Sequence, residues 1–462
     1  SMSSNLIALV ISTLVIFILP KYLGVEEYGY WQLYIFYSTY VGLSQLGWND
    51  GIYLRYGGIQ YDALDKKTFF SQFIMMFGSQ TIFGILIWIY TIFFIQDLNK
   101  DFIIIIVSIS MVILNTRVML LYILQATNRI KDYARITLSD KMIFIILVII
   151  FLFFGIRDFK VIIYSDVIGK FFSLIYAMFL CKEIVFNKVN YFYLTINEMV
   201  NNVAAGIKLM FANVAGLLIV GVVRLGIERT WDITTFGKVS LTLSISNLLM
   251  VFINAVGIII FPVLRRTSIN NLPSIYMNMK TFLMIPLIGV LVVYYPLKTV
   301  LAIWLPQYAE SLIYMALLFP ICVFEGKMAL LINTYLKTLR KEKVILMVNI
   351  ISLILSIILT LLFTFFYKNI IFAILSIVIV LAVRSVIAEI LLSKILKIFI
   401  LKDLLLELLM VFIFIIASWY LSFWLGLLFY LSFYGIYIFI KRKDIGETLK
   451  YIKRLVRKEE EI

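Results

Sequence analysis

Apolar runs of 17 or more residues, separated by short polar stretches, recur along the whole chain and set its predicted architecture. Runs of this length read as membrane-spanning helices, since about 20 residues at about 1.5 Å rise cover a hydrocarbon core of about 30 Å. Fourteen can be delimited: 5–23, 29–48, 69–95, 102–124, 136–154, 161–181, 203–225, 237–262, 281–304, 311–336, 344–366, 370–392, 404–421 and 423–440. The last two form one unbroken apolar stretch, which as a single helix would be about 55 Å long, too long for the core. A hairpin turning near Ser422 to Trp424 fits the bilayer better. The pattern predicts an all-α polytopic membrane protein.

Composition agrees: 63% of residues are hydrophobic and 15% charged, with a mean hydropathy of +1.04. A soluble domain is nearer half apolar and about a quarter charged. Trp31, Trp48, Trp88, Trp231 and Trp304 fall near the ends of apolar runs, where amphipathic rings prefer the headgroup level. The two cysteines, Cys181 and Cys322, lie in or beside apolar runs and define neither a disulfide framework nor a metal site. No metal or cofactor is expected. Neither is a cleavable signal peptide, because the first apolar run has no small-residue cleavage site behind it; Ser1 ahead of Met2 reads as an expression remnant.

Lysine and arginine placement gives an expected orientation. Arg55, Lys66, Lys67, Arg129, Lys131 and Arg135, then Arg265, Arg266, Lys337, Arg340 and the tail from Lys441, all lie on one side if the N-terminus is cytoplasmic. The positive-inside rule then puts both termini in the cytoplasm. The formal charge of +15 is mostly this topological signal, so nucleic acid is not an expected partner.

Polar landmarks recur at one offset. Gly29 and Gly237 are 208 positions apart, Arg55 and Arg265 are 210 apart, and Arg129 and Arg340 are 211 apart. Two pairs of cations inside apolar runs follow the same spacing: Arg117 and Lys327 at 210, Lys170 and Arg384 at 214. The chain therefore reads as two parallel, pseudo-symmetric six-helix lobes, 1–190 and 191–400, followed by a transmembrane hairpin, 401–440, and a basic cytoplasmic tail, 441–462. Internal repeats of this kind mark transporters whose site lies where the repeats meet.

A cation at the centre of a lipid-spanning helix costs about 2.5 to 3.5 kcal/mol on insertion scales, so each requires a partner or a job. Arg117 has no acid one turn away, and Glu325, two residues from Lys327, projects to another face. Glu389 is five residues from Arg384 and poorly placed to meet it, whereas Asp166 is one turn from Lys170 and can pair with it. These four are the candidate substrate-binding cations, ranked in the order Arg117 and Lys327, Arg384, Lys170. Arg224, one turn from Glu228, together with Lys21 and Arg55 near span ends, are candidate gate or secondary residues. Tyr34, Tyr37, Tyr40, Asn213, Asn247 and Asn254 are candidate glycan contacts or helix-packing residues, and prolines 262, 286, 296 and 320 are candidate bends.

Gly24-Val25-Glu26-Glu27-Tyr28-Gly29, the run from Leu124 to Ala134 (LQATNRIKDYA) and Phe261-Pro262-Val263-Leu264-Arg265 resemble recurrent stretches of Wzx-type polysaccharide-repeat flippases. These are members of the multidrug/oligosaccharidyl-lipid/polysaccharide (MOP) exporter superfamily. The resemblance covers about residues 5 to 400. It implies twelve core helices in two bundles, with two extra in some members, and a cationic central cavity for an undecaprenyl-pyrophosphate-linked oligosaccharide. Partners implied are that lipid-linked substrate, membrane lipids, and polymerase and export machinery. Val223 stands where such relatives often carry an acid before the arginine matching Arg224.

Cations at mid-membrane depth suit a diphosphate, since arginine offers it a planar fork and lysine a compact charge. A flippase is therefore the leading expectation. The alternative is a multidrug or small-amphiphile antiporter of the same fold, which would be expected to carry acids in its lumen; the first span carries none. An enzyme is disfavoured, because the chain has no histidine, no long outer loop and no carboxylate pair in a plausible cleft.

Overall fold

The computed structural model describes residues 2–265 and 272–460; Arg266, and the side chains of Asn254, Pro262 and Arg265, lie outside the described residues. It is helical, with no strand among the described residues. Each expected span has a helical counterpart. In order they are Met2–Tyr22, a broken second span from Val25 to Arg55, Lys66–Phe94, Leu98–Ala126, Ile130–Phe153, Phe159–Leu180, Ile196–Thr230 and Ile233–Arg265. Leu272–Trp304, Pro306–Thr338, Glu342–Phe366, Ile370–Leu396, Leu401–Tyr420 and Phe423–Glu460 complete the series. Ten helices among the described residues are long and apolar enough to cross a membrane.

Helix starts follow local chemistry. Asp65, Asp97, Asp158 and Asn369 each sit just before a span and accept hydrogen bonds from its first backbone amides. The Thr68 hydroxyl, then the amides of Lys67 and Thr68, hold the Asp65 carboxyl below the usual carboxylate range. The terminal hairpin turns at Leu421 and Ser422, close to the expected place.

Four spans depart from regular helix, the eleventh only in ending as a π turn, Leu361–Phe366. The second, expected as one rod over 29–48, is interrupted: helix Val25–Ser38, a 3-10 turn Val41–Gln45, then helix Trp48–Arg55. Leu46 and Gly47 between them have φ of 52° and 80°. Glycine reaches such a φ without strain, and the side chain of Asn115 bonds the exposed Val41 carbonyl at 3.0 Å, so the interruption survives at membrane depth. In the ninth span, a 3-10 turn Val290–Val293 follows Pro286. The tenth opens with the 3-10 run Pro306–Tyr314, restarts after Pro320 and widens into a π turn at Met328–Ile332. Proline removes an amide and crowds the preceding turn, which accounts for the stop at Leu318 ahead of Pro320.

The chain divides into two compact units, residues 1–214 with 232–237 and residues 215–231 with 238–462. The seventh span, Ile196–Thr230, contributes to both. Its first part packs onto the second span through glycines: a Cβ on Gly51 would stand 1.8 Å from the Asn202 carbonyl oxygen, and one on Gly206 would stand 2.0 Å from that of Gly47. The terminal hairpin, expected as an appendage, belongs to the second unit. Tyr430 and Tyr434 donate to the carbonyls of Ile288 and Ile285 at 2.9 and 3.0 Å, beside the tightened turn of the ninth span. The basic tail continues the last helix to Glu460, and Lys441 pairs with Asp403 and Asp444 at 2.6 and 2.8 Å.

Gly51→Ala is expected to lower thermal stability in detergent, because the added methyl collides with backbone, at a cost of about 1 to 3 kcal/mol. Gly78→Ala, where the space is open, should be neutral or slightly stabilising by the same assay.

Candidate functional site

In the first unit, Arg117 on the fourth span meets Asp140 on the fifth at 2.7 Å and Ser173 on the sixth at 3.1 Å. Ser173 in turn donates to the Ile136 carbonyl at 2.9 Å. The two helices can approach because Gly169 faces Asp140, where a Cβ would lie 2.9 Å from its carbonyl oxygen. Arg117 is buried, and its Nε has no acceptor. Lys170 pairs with Asp166 one turn away and donates to the Tyr34 hydroxyl at 3.1 Å. Tyr34 donates to Asp166 at 2.7 Å and lies 3.1 Å from Ser110. This expected glycan contact is therefore a fully enclosed member of an ion-pair network.

In the second unit, Arg384 on the twelfth span bonds Glu325 on the tenth at 2.5 Å and Asn349 on the eleventh at 2.9 Å. Gly216 of the seventh span lies alongside, where a Cβ would come within 3.6 Å of the guanidinium. Lys327 lies in a four-charge cluster. It contacts Glu389 of the twelfth span and Glu407 of the thirteenth, the latter at 2.5 Å. Lys280 of the ninth span reaches the same two carboxylates at 2.6 and 3.2 Å, and Tyr276 donates to Glu389 at 3.0 Å. Two lysines balance two glutamates, and all four side chains are buried. The π turn starts directly after Lys327, a local widening often found at functional positions.

The absence of partners for Arg117, Lys327 and Arg384 within one helical turn does not survive in three dimensions. Each is neutralised by an acid from another span, and Glu325 belongs to Arg384. One difference separates the pairs. The Glu325 side chain is 28% exposed, whereas Asp140, Asp166, Glu389 and Glu407 are at 7% or less.

Of the secondary candidates, Arg55 bonds Glu198 and Asn202 at 2.7 and 2.5 Å, within the first unit and partly exposed. Tyr56 donates to the same carboxylate. Arg224 donates to Ser240 at 3.1 Å, and Glu228 pairs with Arg229 at 3.3 Å. Lys21 is exposed at the end of the first span. Sequence reasoning did not single out Asp140, Lys280 or Glu407. Lys280 alone is an isolated charge in an apolar stretch, of the kind that drew attention to the four cations, whereas Asp140 is followed by Lys141 and Glu407 lies one turn after Asp403.

No protein-family model matches this chain, and no curated protein does. Solved structures match over most of its length. A lipid II flippase, MurJ, in an inward closed conformation covers 96% of this chain and 98% of its own, with a TM-score of 0.63 and 15% identity. A multidrug resistance transporter of the MATE family, inward-facing, covers 85% and 99%, with a TM-score of 0.62 and 12% identity. The fold is that of the MOP-superfamily transporters. A third example, from Pyrococcus furiosus and noted for the reverse polarity of its binding pocket, covers 85% and 94% with a TM-score of 0.51 and 11% identity. These MOP structures are of transporters and flippases, and the long apolar helices of this chain make it a multi-pass membrane protein.

Glu407→Gln leaves two buried lysines against one glutamate. Breaking a buried pair in this way costs about 3 to 5 kcal/mol, so thermal unfolding in detergent should shift markedly downward. Adding Lys280→Gln restores neutrality and should recover a large part of the loss.

Proposed function

We propose that this protein is a flippase that carries an undecaprenyl-pyrophosphate-linked oligosaccharide across the cytoplasmic membrane by alternating exposure of its binding site. The observation that carries this reading is the Arg384–Glu325 pair, a buried guanidinium whose carboxylate partner is only partly buried. A diphosphate can exchange with Glu325, presenting oxygens to the same fork while the displaced carboxylate turns to water. Bidentate arginine–phosphate contacts are among the stronger charge-assisted hydrogen bonds, so the exchange balances one strong contact against another. For Arg117, Lys170 or Lys327 to take a phosphate its enclosed carboxylate partners must first separate, which ranks Arg384 first.

The extent of the fold supports the same reading. The lipid II flippase covers 11% more of this chain than the MATE transporter does, about 50 residues, comparable in size with the terminal hairpin. Outward movement of a negative headgroup is helped by an inside-negative potential, by about 2.3 kcal/mol per charge per 100 mV.

A multidrug antiporter is the second reading, favoured by the partly exposed Glu325 carboxylate, which could receive a cationic amphiphile. The variants separate the two. For a flippase, Arg384→Gln should abolish polymer export and accumulate lipid-linked glycan inside the cell, with Arg384→Lys intermediate, while Glu325→Gln retains export. For an antiporter, Glu325→Gln should abolish drug efflux and polymer export should be indifferent to both.

A further inference from the structure

The stretch from Leu124 to Ala134 takes no part in the ion-pair networks at membrane depth, yet it helps to build a cavity within the first unit. Three connections meet there: residues 60–62 ahead of the third span, 127–129 between the fourth and fifth, and 180–183 after the sixth. The cavity holds about 520 Å³, and all three connections lie on the side expected to be cytoplasmic. The Gly58 amide donates to the Ala126 carbonyl at 2.9 Å, which ties the first connection to the second.

Arg129 is the centre of the wall. Asp132 engages its Nε and Nη2 at 2.8 and 2.7 Å, its Nη1 donates to the Leu180 carbonyl at 3.2 Å, and its guanidinium lies 4.6 Å from the centre of the Tyr61 ring. These contacts hold the fork in place and leave N–H groups to spare. The same ring carries Lys66 at 3.6 Å, and Lys66 reaches Glu183 at 3.8 Å. Lys182 is exposed and forms no ion pair among the described residues. The wall thus offers a positioned guanidinium and a free ammonium, both of them phosphate donors. Gln60, Asp62 and Glu183 line the same cavity, are exposed, and can accept hydrogen bonds. A lining of two cations and two acids suits a singly charged phosphodiester that also bears donors better than it suits a multiply charged pyrophosphate.

An apolar path leads to this cavity. Tyr164, Ile168, Phe172 and Phe179 are all exposed and fall on one face of the sixth span. In a membrane-spanning helix such a face meets acyl chains. It ends at Phe179, next to Leu180 of the cavity wall, where Phe186 packs at 5.8 Å between ring centres. Phe186 is exposed too, so the apolar surface runs past the end of the span.

We propose that this cavity binds a phospholipid of the cytoplasmic leaflet, with an acyl chain along the sixth span, its phosphodiester at Arg129 and Lys182, and its headgroup donors at Asp62 and Glu183. Basic pockets at the cytoplasmic ends of spans are suited to holding lipid headgroups. Suitable donors are the hydroxyls of phosphatidylglycerol or the ammonium of phosphatidylethanolamine; phosphatidylcholine has neither. The site does not depend on the flippase reading.

Native mass spectrometry of the full chain in detergent, with each of the three lipids added at equal concentration, tests the site. Phosphatidylglycerol or phosphatidylethanolamine should form adducts several-fold more abundant than those of phosphatidylcholine, and the stronger of the two tells hydroxyl from ammonium. Lys182→Gln, at an exposed position with no ion pair to break, should lower the favoured adduct several-fold, and Phe179→Ser should lower it as well. Asp62→Ala should narrow the gap from phosphatidylcholine, while Lys402→Gln, at an exposed position of the second unit, should change nothing. Equal adducts with all three lipids, or an equal loss in Lys182→Gln and Lys402→Gln, overturn the headgroup site. Displacement of the lipid by an equal concentration of soluble glycerol phosphate, or by a lipid-linked oligosaccharide, overturns phospholipid as the occupant.

Discussion

A charge inside a hydrocarbon layer is costly unless an opposite charge, a polar group or water meets it. In lipid there is little hydrophobic drive to bring one apolar helix against another, so polar contacts decide which spans meet and at what height. Here each network joins different spans. Arg117 ties the fourth to the fifth and sixth, and Tyr34 ties the second to the fourth and sixth. Arg384 ties the twelfth to the tenth and eleventh, and the Lys280–Lys327–Glu389–Glu407 cluster ties the ninth, tenth, twelfth and thirteenth. A π turn follows Lys327 and an interruption precedes Asp50, whereas the irregular turns Val290–Val293 and Leu361–Phe366 lie in stretches without charge.

The same constraint changes what a buried cation can do for an anionic ligand. A bare cationic wall would attract phosphate at every stage of transport and release it poorly. Cations already engaged by carboxylates offer an exchange, in which ligand arrival and ligand departure differ by a swap of partners. The strength of that exchange depends on whether the outgoing carboxylate can reach water. Burial separates Glu325 from the other acids on this point.

The spans were legible because a run of about 20 apolar residues has few alternatives to a membrane helix. The hairpin between Tyr420 and Phe423 was legible for the complementary reason, that a single helix would be too long. The cations stood out as isolated charges. Their partners did not, since spacing along one helix reveals an acid such as Asp166 at i−4 but is blind to Asp140 or Glu407 arriving from another span. The interruption of the second span was hidden for a related reason. Val41 to Gly47 reads as apolar and small, and its exposed Val41 carbonyl is met by Asn115, 74 residues away in the sequence.

The place of Glu407 also bears on how the protein is made. Ribosomes deliver the chain from its N-terminus, so Lys280 and Lys327 enter the membrane before the thirteenth span exists. Until that span is inserted, Glu389 stands alone against two lysines. The nascent second unit therefore holds an unmatched positive charge until the thirteenth span brings Glu407 to the two lysines.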